Sequence, residues 1–113
     1  MASLVSAKSM TTMTSPITGI TYKLVSRGPY NTANQACARE GGRLAEISTT
    51  FGEVAWIGSW MPESTPAWIG SLDGIVYKCA AVYAGGAVAI PKSRSARGPC
   101  YNLELTLCQL DEK

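Results

Sequence analysis

The clearest alternation in the chain begins after Gly19, where Ile20, Tyr22 and Leu24 are interleaved with Thr21 and Lys23. A period of two places the three apolar side chains on one face, so Ile20–Val25 is expected to be a strand. The preceding residues, 1–18, are rich in Ser, Thr and Met without a period, and read as a loose arm ahead of a folded part spanning 19–113. After the strand the period changes to that of a helix: Ala33, Ala36 and Cys37 recur at i, i+3 and i+4, with Asn31 or Thr32 as the cap and Gly41-Gly42 closing the far end. This spacing points Cys37 inward.

A second helix is expected from the capping-box pair Thr50 and Glu53, followed by Phe51, Val54, Ala55, Gly58 and Met61 at helical spacing, and stopped by Pro62. Trp-Ile-Gly-Ser occurs in this helix at Trp56 and again at Trp68, where Pro66 before it and Asp73-Gly74 after it require a short strand. The flanking residues thus assign the two copies different backbones, and the repeat is accidental. A returning strand is expected over Val76–Tyr83, a further one over Ala87–Ile90 ended by Pro91, and a last one where Leu103, Leu105 and Leu107 alternate with Glu104, Thr106 and Cys108. One strand, two helices, then several strands is an α+β order, with two helices packed on small antiparallel sheets.

Composition narrows what this fold can do. At 113 residues there is material for one domain, and no apolar run reaches the roughly 20 residues of a membrane span. The net charge of +2 is mild and the basic residues are scattered apart from Lys92, Arg94 and Arg97, which argues against a nucleic-acid partner. Histidine is absent, which removes the commonest general base and metal ligand, and no enzyme activity and no cofactor are expected. Glu40, Glu46, Glu53 and Asp73 could be imagined as a glycosidase pair. Their contexts explain them otherwise: Glu53 caps, Asp73 turns, and Glu40 and Glu46 fit exposed positions.

Cys37, Cys79, Cys100 and Cys108 are even in number and contain no Cys-x-x-Cys pair. Zinc ligation lacks the close spacings it needs, and two disulfides are the better reading, which places the protein in an oxidising, extracellular compartment. The four cysteines allow three connectivities. Against secretion, Met1–Ser15 lacks the apolar core of a signal peptide, so a leader is taken as already removed and Met1 as added; a native Met1 weakens the inference.

The order and spacing of Ala33-x-x-x-Cys37, Gly42-x-Leu44-Ala45, Ala67-Trp68-Ile69-Gly70, Cys79, Cys100 and Cys108 resemble the C-type lectin-like domain. The resemblance implies that fold and the pairings Cys37–Cys108 and Cys79–Cys100. It also implies a binding rather than a catalytic role. Calcium-dependent members hold the ion with carboxylates in a long loop and in a Trp-Asn-Asp triplet; here Ser71–Tyr77 is short with one carboxylate, Asp73, and Ile90-Pro91-Lys92 stands where the triplet would be. Calcium wants six to eight oxygens, so no metal site of that kind is expected. The chain is also similar, more weakly, to the Link module, which binds hyaluronan through basic and tyrosine side chains; Cys79-Ala80-Ala81, Gly86-x-Val88 and Ile90 carry that likeness.

The expected function is therefore calcium-independent recognition of a glycan or a protein surface. Lys92, Arg94, Arg97 and Tyr101 supply charges beside a ring that could hold an acidic sugar. The plainer reading, a solvated loop of Ser, Gly and Arg, is the one composition favours. Trp60, four residues after Trp56, is the remaining candidate contact; if the apolar stripe of the second helix faces the core, one Trp of the pair is exposed, whereas a helix covered on both sides buries both. Trp68 is expected in the core. The alternative function is a self-associating scaffold that dimerises through the Trp56 and Trp60 face.

Overall fold

A computed structural model describes residues 12–63 and 65–110. In chain order the elements are β1 (Thr12–Thr14), β2 (Thr21–Gly28), α1 (Ala33–Arg39), β3 (Gly42–Leu44), β4 (Glu46–Ile47), α2 (Glu53–Ser59), β5 (Ala67–Trp68), β6 (Ser71–Leu72), β7 (Ala81–Val82), β8 (Val88–Ala89) and β9 (Glu104–Leu110). The class is α+β. Short 3-10 turns occupy Tyr30–Thr32, Thr50–Gly52 and Pro99–Tyr101.

The main sheet runs β1-β2-β9-β5-β7-β8, with β3 also on β9. One edge of β9 is paired along its length with β2, and the other is shared between β5 at its start and β3 at its end. The expected antiparallel sheets are corrected to one mixed and one parallel sheet, because β5 runs parallel to β9 in the large sheet and β4 runs parallel to β6 in the two-stranded one. Three strands on one partner leave β9 no free edge.

Both faces of this sheet are covered. On one face Tyr22, Leu24, Ala67, Val82 and Leu107 form a core with Ile57 and Met61 from the α2 region. On the other, Trp68, Ala81 and Cys108 pack with Ala33 and Cys37 of α1. In the last strand, expected from Leu103, both sets of alternating positions are covered: Glu104 is 0 % and Thr106 2 % exposed, while Leu103 lies just outside β9 and is 63 % exposed. Alternation marks a buried face only when the opposite face is solvated, and here it is not.

Cys37–Cys108 ties α1 to β9 and Cys79–Cys100 ties the loop before β7 to the turn before β9, the pairings that the resemblance implied. Their Cα separations are 5.3 and 5.1 Å, ordinary for the bond. Gly41, at φ +87°, closes α1 as expected, and a Cβ on Gly42 would overlap the carbonyl of Gln109 in β9. The Trp-Ile-Gly-Ser copies do take different backbones, helix at 56–59, and at 68–71 the end of β5, a bend at Gly70 and the start of β6.

Other expectations shift. Residues 12–14, placed in the loose arm, form β1 against β2; residues 1–11 lie outside the described part. The returning strand over Val76–Tyr83 is only Ala81–Val82, since Asp73 and Gly74 turn the chain with positive φ but only Ile75 returns to pair with Leu72. Val76 is 73 % exposed and Cys79 takes a φ of +62°, which no regular strand accommodates. Phe51, counted on the apolar stripe of the second helix, is instead 85 % exposed at φ +59°.

Helix α2 sits on the sheet by a close backbone approach. A Cβ on Gly58 would overlap the backbone of Gly86, and the Gly58 carbonyl accepts from the Gly85 N–H at 3.0 Å. Gly58→Ala is therefore expected to cost about 3 kcal/mol, because backbone cannot yield as a side chain can. Urea unfolding checks this; a loss below about 1 kcal/mol would show the approach to be loose.

Candidate functional site

The segment between β8 and β9 carries Lys92, Arg94 and Arg97, all exposed, and its conformation is set by a side chain that the sequence reading did not single out. Asn102 is 2 % exposed. Its Nδ2 donates to the Lys92 carbonyl at 2.7 Å and to Glu104 Oε2 at 3.1 Å, while its Oδ1 accepts from the Arg94 N–H at 2.8 Å. Ser95 adds a turn, accepting at its carbonyl from the Gly98 N–H and at its hydroxyl from the Arg97 N–H. This loop is thus internally bonded, not merely solvated, and the backbone at both Lys92 and Arg94 is anchored to one buried amide.

The cations are placed differently. The Arg97 guanidinium carbon lies 4.3 Å from the centre of the Tyr101 ring, a cation–π stack on the surface. Arg94 Nη1 stands 4.0 Å from Glu104 Oε1, too far for a hydrogen bond. Glu104 Oε1 is buried and, among the described residues, has no hydrogen-bond partner, although the Glu104 side chain is fully enclosed. A carboxylate oxygen in that position draws a donor towards it. Tyr83 feels the same charge: burial, and then Glu104, raise its pKa, against a smaller opposite effect from Arg94.

Of the expected contacts, Lys92, Arg94, Arg97 and Tyr101 thus fall in one segment, and Asn102 and Glu104 are added beneath them. Trp60 belongs to a different part of the molecule. It stacks edge-on with Trp56 at 5.5 Å, and Trp56 in turn lies 6.2 Å from Tyr22, so both rings are half-buried against the core. The Trp60 Nε1–H is buried without a partner among the described residues. Trp68 is fully buried, and its Nε1–H donates to the Gly28 carbonyl at 2.8 Å.

The acids are committed to structural partners. The capping role given to Glu53 is corrected: Gly52, left-handed at φ +84°, precedes the helix, and Glu53 is turned into the protein at 1 % exposure. There it accepts hydrogen bonds from Ser15 Oγ at 2.6 Å, Thr18 Oγ1 at 2.9 Å and Tyr22 OH at 2.6 Å. Asp73 accepts from the hydroxyl and the backbone N–H of Thr49, which hold its carboxyl below the usual carboxylate range. Glu40 pairs with Lys23 at 2.6 Å. Among the described residues no group of three or more His, Cys, Asp and Glu is placed to hold a metal ion, and no helix is long and apolar enough to cross a membrane.

These features define a disulfide-bonded α+β domain with an ordered cationic loop. Compared with known protein families, curated proteins and solved structures, the chain matches none.

Proposed function

We propose that this chain is a secreted C-type lectin-like domain that binds an acidic glycan, without calcium and without catalysis, through the loop Lys92–Arg97 and Tyr101. The observation that carries the reading is the anchoring of this loop by Asn102 over the enclosed Glu104. An anionic sugar needs cations for its carboxylate or sulfate and a ring for its apolar face; the exposed Arg94, Arg97 and Tyr101 are of these two kinds, while the enclosed Glu104 serves the loop from below through Asn102. Because the loop backbone is already fixed, less ordering entropy opposes binding than in a free basic loop.

The fold reading is supported by the helix-to-last-strand disulfide, the second disulfide within the later loops, and the buried Trp68 strand beside β9. Two disulfides fit an oxidising compartment. The alternative, a scaffold dimerising through Trp56 and Trp60, has less surface to use because both rings are partly covered.

Titration with polygalacturonate at several salt concentrations tests the proposal. The Arg94→Gln/Arg97→Gln variant is expected to bind about tenfold more weakly, near 1.4 kcal/mol, with a shallower salt dependence. A chelator is expected to change nothing. Unaltered affinity in the double variant would remove the loop from the site.

A further inference from the structure

We infer that the loops after β4 and β6 form an apolar tip that enters the interfacial layer of a lipid bilayer, so that the protein lies on a membrane without spanning it. The inference is independent of the basic-loop reading. Strands β4 and β6 are parallel, so the segments 48–52 and 73–77 leave the two-stranded sheet at the same end. Asp73 fastens them together, accepting from the Thr49 hydroxyl at 2.7 Å and from the Thr49 N–H at 2.8 Å.

Of the eight large apolar side chains left exposed among the described residues, four stand on this tip. Phe51 is 85 % and Val76 73 % exposed, with Ile75 and Tyr77 on either side of Val76 in the chain. Phe51 is turned out by its own backbone: φ is +59° there and +84° at Gly52, which takes the ring off the stripe that helical spacing would have given it. A bulky residue rarely holds that conformation, and it persists only where the surroundings fix it.

The tip can leave water at little cost. The N–H groups of Thr49, Thr50, Gly52, Asp73 and Ile75 are already bonded within the two segments and the sheet end. Unpaired backbone groups are what bars a loop from lipid. The only charged side chains in 48–52 and 73–78 are Asp73 and Lys78. Asp73 sits at the base, where its N–H donates to the Ile47 carbonyl at 2.8 Å, and Lys78 follows Tyr77. Aliphatic side chains, then a tyrosine and a lysine, is the order in which side chains suit hydrocarbon and then headgroups. The two charges cancel, so burial of apolar surface, not attraction to anionic lipid, drives attachment. A second copy or a folded partner is less suited, because stable interfaces use roughly 20–30 residues a side and this tip offers four apolar side chains. A bilayer demands no complementary shape, and a few apolar side chains suffice for reversible binding.

Co-sedimentation of the full chain, disulfides intact, with phosphatidylcholine vesicles tests this, at about 0.5 M salt where exposed charges are screened. The protein is expected to sediment with the vesicles, and Phe51→Ser/Val76→Ser to lower the partition coefficient about tenfold or more. Phe51→Gly suits a left-handed backbone, so it is expected to bind several-fold more weakly with an undiminished melting temperature. Arg94→Gln/Arg97→Gln is expected to bind vesicles as the wild type does, and Phe51→Ser/Val76→Ser to bind polygalacturonate as the wild type does, so the two surfaces stand or fall separately. Wild-type protein left in the supernatant, or tip variants that sediment like it, overturn the inference. So does vesicle binding lost through the arginine variant, which assigns it to the basic loop. A wild type that dimerises without vesicles, beside a monomeric Phe51→Ser/Val76→Ser variant, overturns it too and makes the tip a contact between copies.

Discussion

Replacing Cys37 and Cys108 together with alanine is expected to lower the unfolding free energy by about 4 kcal/mol, and the melting temperature by roughly 15–30 °C. The bond closes a loop across a sequence separation of 71, against 21 for Cys79–Cys100. Since the chain entropy removed from the unfolded state grows with the logarithm of loop length, the second bond is expected to contribute about 3 kcal/mol. The position of the first bond adds to the effect. Cys37 and Cys108 are fully buried between α1 and β9, and β9 is the strand on which β2, β3 and β5 all pair. Loosening α1 therefore exposes one whole face of the sheet. Paired urea titrations of the two double variants give the order; a larger loss from Cys79/Cys100 would contradict the loop-length argument.

Glu53→Ala is expected to cost about 3–5 kcal/mol, although the residue lies outside the proposed site. Three hydroxyls converge on its carboxylate: Ser15 and Thr18 from the turn between β1 and β2, and Tyr22 from β2 itself. Hydrogen bonds to a charged group are worth about 1.5–3 kcal/mol each, and alanine would leave the buried Tyr22 hydroxyl unpaired beside a cavity. Tyr22→Phe removes one donor only, and should cost about 2 kcal/mol. A double-mutant cycle between the two positions is expected to show coupling above 1 kcal/mol, and additivity would refute a shared network. Alkaline titration offers a further check. Burial first, then the hydrogen bond to Glu53 and its charge, raise the Tyr22 pKa. The folded state thus retains a proton that the unfolded chain gives up above the ordinary tyrosine pKa, so this contribution is present below that pH and lost as pH rises past it.

Glu53 also shows why local pattern misled. Thr50-x-x-Glu53 has the letters of a capping box, and nothing within four residues distinguishes a capping glutamate from one drawn inward by hydroxyls 31 to 38 positions earlier. The signal for Glu104 was nearer. In a strand, Glu104, Thr106 and Cys108 share a face, and Cys108 was already assigned to a disulfide with an inward-facing Cys37. Taken together with the apolar Leu105 and Leu107, this requires β9 to be covered on both sides, with a carboxylate enclosed. Asn102, one turn before the strand, carried no such mark.

From the chain alone came the α+β class, the inward face of α1, the strand with Tyr22 and Leu24, the two backbones of the repeated tetrapeptide and the clustering of three cations near Tyr101. Each depends on neighbours within a few residues, through periodicity, breakers and turn chemistry. Only the tertiary structure decided that β9 is central and parallel to β5, that Glu53 and Glu104 are enclosed, and that Asn102 holds the basic loop. These depend on which strand lies beside which, and so on contacts between residues far apart in sequence, where burial and hydrogen bonding override what a side chain's immediate neighbours would otherwise dictate.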